Sequence, residues 1–153
     1  MSRTISLALP HKLAFQIITK VVGKKVFRTV LDEGASTLVL SLSCWKAIGS
    51  PELVTSPTTL KSFDGQGFQP HGLISALAVE LGGKTVSIHV EVVDALLDYN
   101  LLLGGNWFYT MTVVASTVFQ TVQFLHLERI VTIDQLDIYT SNVTTSTTNK
   151  IPM

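Results

Sequence analysis

The chain has 153 residues, 46% of them hydrophobic and 14% charged, with Lys plus Arg equal to Asp plus Glu at 11 each. That length sets one domain with a sizeable core and leaves little for a second, and the balanced charge, with no basic run longer than Lys24-Lys25, disfavours a nucleic-acid binder, which normally carries a basic face. So little charge also implies more apolar surface than one small domain hides, and pairing with another chain is one way to cover it.

Residues 1–12 read as an N-terminal extension: the apolar run in Met1–Leu9 is broken by Pro10, His11 and Lys12, which does not suit a signal peptide. No window approaches the ~18 apolar residues needed to cross a membrane. Cys44, the only cysteine, excludes an intramolecular disulfide and a thiolate metal cluster. The expectation is a soluble, intracellular, cytoplasmic protein without membrane association.

Apolar runs at Phe15–Val22 and Val26–Leu31 flank Gly23, Lys24 and Lys25 and predict a first hairpin. Its second strand runs into Asp32-Glu33-Gly34-Ala35-Ser36-Thr37 before apolar residues resume at Leu38-Val39-Leu40. A carboxylate at the end of a buried strand is costly unless something satisfies it. Gly34 permits a close backbone approach or a positive φ, and Ser36 puts a hydroxyl near the turn. Taken alone, the segment reads more readily as an ordinary acidic β-turn between two strands, since such turns are common.

Ser43 is a cap for a short helix through Ile48, with Gly49 and Pro51 ending it. Asp64-Gly65 reads as a turn pair. Leu73–Leu81 and Lys84–Val93, joined by Gly82-Gly83, predict a tight hairpin. In the second of these, Val86, Ile88, Val90 and Val92 make a buried face, and Thr85, Ser87, His89 and Glu91 a polar one. A second short helix is expected over Asn106–Met111, with Trp107 and Phe108 as core anchors, and a third hairpin over Thr117–Leu127 and Arg129–Ile133. Residues 139–153, rich in Thr, Ser and Asn, read as a disordered tail or linker, and the sequon at Asn142 as a chance match. The fold class is all-β, mostly antiparallel, a closed barrel or a sandwich over residues 13–138.

His11, His71, His89 and His126 are too scattered for a metal site, and Gly34-Ala35-Ser36-Thr37-Leu38 lacks the final glycine of a hydrolase elbow. No cofactor or metal is expected.

Three stretches in order resemble the retropepsin-like aspartic proteases of retroviruses and long-terminal-repeat retrotransposons. Leu31-Asp32-Glu33-Gly34-Ala35-Ser36 resembles their active-site loop. Phe63-Asp64-Gly65-Gln66-Gly67 sits where the family has its flap, a hairpin over the substrate, and Leu102-Leu103-Gly104 resembles the second signature before the C-terminal helix. Residues 113–138 resemble the stretch that follows the protease in plant gypsy-type polyproteins.

The resemblance implies a small, closed, barrel-like acid-protease fold with one or two short helices. It implies a homodimer in which two Asp32 carboxylates activate water to cleave a polypeptide, with Glu33, Gly34, Ala35 and Ser36 supporting the loop, Ser36 by a bond to the catalytic carboxylate. Phe63, Asp64 and Gly65 would meet the substrate. Two positions depart from the pattern: Glu33 where Thr or Ser is usual, and Gly105 where many members carry Arg. These favour the alternative of an inactive module for dimerisation or peptide binding; a degenerate retroelement relic is a third reading.

Overall fold

The computed structural model describes residues 4–6, 15–61, 65–116 and 118–134. The expected tail, the sequon and most of the N-terminal extension lie outside them. Within them the chain is mostly β, built around a closed six-stranded barrel, which decides between barrel and sandwich.

Strand β1 is Thr4–Ser6, away from the barrel. Strand β2 (Phe15–Val21) buries Phe15, Ile17, Thr19 and Val21 on one face, the period of two expected of a half-buried strand. The polar member is satisfied: the Thr19 and Thr29 hydroxyls lie 3.0 Å apart, and Thr29 Oγ1 donates to the Val26 carbonyl at 3.0 Å. Val22 and Gly23, at φ 50 and 75, turn the chain into β3 (Lys24–Leu31). The turn therefore falls earlier than expected, and Lys24 and Lys25 are strand residues. A two-residue hairpin turn with both residues at positive φ matches the twist of the strands, and Val22 accepts the strain at an exposed site.

After the loop at 32–38, β4 (Val39–Ser41) leads into α1 (Leu42–Ala47). Its cap is Ser41, not Ser43: Ser41 Oγ accepts from Cys44 N at 3.2 Å, because the extended end of β4 already aims that hydroxyl at the first turn. Strands β5 (Thr59–Lys61) and β6 (Gly67–Phe68) form a small sheet in the order β1-β5-β6. Strands β7 (Gly72–Leu81) and β8 (Lys84–Val93) form the longest hairpin, turning at Gly82 and Gly83, both at positive φ. Strand β9 (Leu101–Leu103) and helix α2 (Gly105–Met111) follow, and the helix buries Trp107, Phe108 and Met111.

The barrel runs β2-β3-β9-β4-β8-β7 and closes through Lys20↔Glu80 and Val21↔Val79. Its interior holds the larger apolar cluster, including Ile17, Leu40, Val90, Leu101, Leu103 and Trp107. A second cluster, Val30, Val39, Leu60, Val93, Tyr99 and Leu102, covers the barrel's outer face under β5. This second layer corrects one expectation. Glu91, assigned to the polar face of β8, is only 4% exposed. The end of β8 pairs on both sides, with β7 and with β4 at Val39↔Glu91, and its outward face belongs to the second cluster at Val93. His89, two residues earlier, is exposed as expected.

The third hairpin is present as β11 (Thr121–His126) and β12 (Arg129–Asp134), with β10 (Val113–Ser116) added at its edge. Its first strand starts later than expected, after a turn at 118–120. The hairpin packs over the β7–β8 turn, and Lys84 Nζ ties the two by donating to the Met111 and Leu125 carbonyls at 2.8 and 2.9 Å. Among the described residues, no helix is long and apolar enough to cross a membrane.

The packing at Gly82 is specific enough to test. Its φ is +58, and a Cβ there would stand 2.9 Å from Phe124 Cζ and 3.1 Å from Val131 Cγ1. Gly82→Ala should therefore destabilise the protein by about 1–3 kcal/mol in urea unfolding. An unchanged midpoint would mean that the C-terminal hairpin does not press on this turn.

Candidate active site

The residues of interest sit where three strand ends meet. β3 runs parallel to β9, with Val30↔Leu102 and Leu31↔Leu103 in register. β4 comes back antiparallel to the same strand, with Val39↔Leu102. Strand β9 is thus inserted between the two strands that flank the 32–38 loop. The segment before it is fastened to β3 by main-chain acceptors: Asn100 N donates to Arg28 O at 3.0 Å, Asn100 Nδ2 to Phe27 O at 2.8 Å, and the Arg28 guanidinium to Asp98 O at 2.6 Å.

The loop itself is held mainly by backbone bonds. Asp32 N donates to Leu103 O at 3.1 Å, continuing the β3–β9 ladder by one step. Ala35 N donates to Asp32 O at 2.9 Å and closes a turn, and Gly105 N donates to Ala35 O at 2.9 Å. Within the turn, Gly34 N donates to Asp32 Oδ1 at 3.1 Å. A carboxylate accepting a main-chain N–H has part of its desolvation offset and a fixed direction. Asp32 is half-buried, Glu33, Gly34 and Ser36 are exposed, and Thr37 is buried.

Two expectations about this loop change. The Ser36 hydroxyl makes no bond to the Asp32 carboxylate within the chain; the Gly34 amide is the donor there. Gly34 itself has neither a positive φ nor a crowded Cβ position, since the nearest atom to a Cβ would be Asp32 Oδ1 at an ordinary 3.6 Å. The glycine that the fold requires is Gly104. A Cβ on it would stand 2.4 Å from Ala35 O and 2.8 Å from Thr37 O, both backbone atoms. At Gly105 a Cβ would meet Glu33 O at 3.0 Å. The two departures noted in the sequence, Glu33 and Gly105, are therefore neighbours.

Leu102, Leu103 and Gly104 are brought directly against the Asp32 loop. Of the residues expected over the substrate, Phe63 and Asp64 lie outside the described residues. Gly65, at φ +86, lies in the connection between β5 and β6, which pair antiparallel through Leu60↔Phe68 and Lys61↔Gly67. Leu60 reaches into the second cluster beside Val30 and Leu102, which links this hairpin to the strands bearing the loop.

Sequence reasoning missed Tyr99 and Glu91 in this layer. Tyr99 is buried, its hydroxyl lacks a hydrogen-bond partner, and burial, with the Asp98 charge adding, pushes its phenol well above the ordinary range. An apolar neighbourhood on both sides of an Asp-Tyr-Asn triplet was the available signal. Among the described residues, no group of three or more His, Cys, Asp or Glu side chains is placed to hold a metal ion.

No family model matches the chain, and no curated protein matches it. Solved structures do. The retroviral protease-like domain of Ddi1 from Leishmania major superposes with a TM-score of 0.63 at 13% identity, over 82% of this chain and 98% of that one. The EIAV protease complexed with the inhibitor HBY-793 gives 0.53 at 14% identity, over 67% and 91%. A retropepsin-like aspartic protease from Rickettsia conorii gives 0.51 at 20% identity, over 68% and 77%. At these identities the likeness is one of fold, and the fold is that of the retropepsins.

The contrast between the two glycines gives a test. Gly104→Ala should cost about 2–4 kcal/mol in denaturant unfolding, because two backbone carbonyls must move. Gly34→Ala should stay within about 1 kcal/mol of wild type. Equal losses would mean that the loop is not held by the Gly104 approach.

Proposed function

We propose that this chain is an aspartic endopeptidase that acts as a homodimer, with Asp32 as the one catalytic carboxylate from each chain. The observation that carries the reading is the Asp32 carboxyl itself. It is half-buried at the end of β3, oriented by the Gly34 amide, on a loop locked to β9 and α2, in a barrel with the retropepsin fold.

One such carboxylate is half a site. Two chains related by a two-fold axis bring two Asp32 side chains together. Adjacent carboxyls cannot both ionise comfortably, so the pair holds one proton and titrates as a unit. The ionised member takes a proton from water as the oxygen attacks the scissile carbonyl carbon. The protonated member gives its proton to the carbonyl oxygen, forming a neutral gem-diol. Collapse of the diol then breaks the C–N bond: a diol hydroxyl returns its proton to the dyad while the nitrogen takes one up, leaving an acid and an amine. No covalent intermediate is involved.

The substrate we propose is a polypeptide of the retroelement polyprotein kind, supported by the likeness of residues 113–138 to the segment that follows the protease in such polyproteins. Leu102 and Leu103 shape the floor beside the loop, and Gly65 with its neighbours Phe63 and Asp64 closes over the bound strand. Ser36, free of Asp32 within one chain, is available to the dyad formed by two. The second reading, an inactive module of the same fold, is favoured by Glu33. Its side chain is exposed next to Asp32, and symmetry would set it near its own copy.

Two measurements separate the readings. Asp32→Asn should remove cleavage of a casein or polyprotein substrate across pH 3 to 7, leaving thermal unfolding within about 1 kcal/mol; cleavage equal to wild type would end the proposal. Glu33→Thr should tighten the dimer at pH 7 by about 1 kcal/mol, roughly fivefold in sedimentation equilibrium, by removing a like-charge pair. An unchanged dissociation constant would place Glu33 away from the axis.

A further inference from the structure

Strand β1 does not join the barrel. Thr4, Ile5 and Ser6 pair in parallel with Thr59, Leu60 and Lys61 of β5, the strand that leads into the hairpin carrying Gly65. On its other side β5 pairs with β6, among the described residues, at Leu60↔Phe68 and Lys61↔Gly67. Among the described residues the N-terminal strand therefore supplies three of the five register pairs of β5, and β6 supplies two.

Three further facts give this pairing weight. Leu60, at its centre, is fully buried in the second cluster with Val30 and Leu102, the two residues paired side by side just before the Asp32 loop. The main chain of β5 is thus the bridge between the N-terminal segment and the strands that carry Asp32. Residues 4–9 alternate, with Ile5, Leu7 and Leu9 between Thr4, Ser6 and Ala8, a pattern suited to strand addition. Strand β1 is, moreover, the edge strand of its sheet among the described residues, and a strand held from one side opens more easily than a central one. Without it, β5 becomes the bare edge of a two-stranded hairpin, and such an edge takes up an extended chain readily.

We propose that the outer edge of β5 is a strand-binding site occupied by the chain's own residues 4–6, which act as a releasable strap on the β5–β6 hairpin. The ligand class is an extended polypeptide running parallel to β5 and recognised by its main chain, with this chain's own N-terminal segment as the occupant. Strapped, the hairpin is a three-stranded sheet seated on Leu60. Unstrapped, β5 loses the three pairs to β1 and opens more often. The consequence for cleavage rests on the proteolytic reading above; the pairing and its effect on β5 do not.

The test uses the full chain with Ile5→Pro and Ser6→Pro together, which removes consecutive N–H donors from β1. Amide hydrogen exchange is followed at Thr59, Leu60 and Lys61, with Leu101, Leu102 and Leu103 in the barrel as the internal reference. The expected result is exchange about tenfold faster at β5 with the barrel amides unchanged, and protection restored by an excess of a synthetic peptide of residues 1–12. Cleavage at low substrate should fall in parallel, through KM. If the double variant does not fold, Ile5→Gly is read at the same amides, with about threefold faster exchange expected. Wild-type exchange at Thr59–Lys61 in a folded variant, or lost protection that the peptide does not restore, would overturn the strap. Because exchange needs no activity, the same measurement on Asp32→Asn separates failure of the strap from failure of the protease assignment.

Discussion

The site depends on one close approach, the main chain of Gly104 against the carbonyls of Ala35 and Thr37. Inserting β9 between β3 and β4 brings three backbones together at the point where the loop begins. Only a hydrogen fits on the α-carbon there, since a methyl would stand 2.4 Å from Ala35 O. With that contact made, the loop's polar groups find partners at once: Asp32 N on Leu103 O, Ala35 N on Asp32 O, and Gly105 N on Ala35 O. A loop satisfied by backbone makes few demands on its side chains. That explains how Glu33 and Ser36 can stand exposed without disturbing the position of Asp32.

Cost and stability are unevenly spread around this point. The larger cluster inside the barrel is apolar, its one unsatisfied group being the Trp107 indole N–H. On the outer side, Glu91 Oε1 and the Tyr99 hydroxyl are buried without partners, Tyr99 within the second cluster and Glu91 two residues from its member Val93. An unsatisfied buried polar group costs on the order of 1–3 kcal/mol. The second cluster has fewer apolar residues to offset that cost. It is also the layer on which β5 rests through Leu60.

Much of this was legible in the sequence, for physical reasons that differ by element. The β7–β8 hairpin could be read because Gly82-Gly83 supplies both positive φ values of a tight turn and the alternation around it is long. Helix α2 could be read because a Gly-Gly pair precedes a compact apolar group. The first turn was misplaced because its φ > 0 residues are Val22 and Gly23, and valine seldom adopts that conformation. Glu91 was placed outward because alternation assumes one covered face, and only the tertiary arrangement of β4 and the second cluster covers the other. The Asp32 loop stood out by its resemblance to a family motif, and the close backbone approach expected at Gly34 occurs within this chain at Gly104. Gly34 stands in the motif, whereas Gly104 is crowded by the carbonyls of Ala35 and Thr37, loop residues far from it in sequence. The alternation of residues 4–9 could suggest a strand but not its partner, because parallel pairing between remote segments is decided by the fold.

Glu33 and Gly105 look like two separate losses in the sequence, a missing hydroxyl and a missing guanidinium. In the structure they are one feature. The Glu33 carbonyl stands 3.0 Å from where a Gly105 Cβ would be, so a longer residue at 105 would press on the turn that sets Asp32. Glycine at 105 lets the turn sit close to the start of α2, and the Gly105 amide then anchors it through Ala35 O at 2.9 Å. That bond is main chain to main chain, so it anchors the turn whatever the side chain at 105. The charge of Glu33 is the remaining objection to an active dimer, and magnitude decides its weight. Two unit charges ~4 Å apart repel by ~4 kcal/mol at an effective dielectric of ~20, but by ~1 kcal/mol in water. Glu33 is exposed in the single chain and can extend into solvent, which puts it toward the weaker end of that range. A penalty of that size lowers dimer affinity without preventing assembly. In the proposed dimer, neither departure by itself decides between an enzyme and an inactive module.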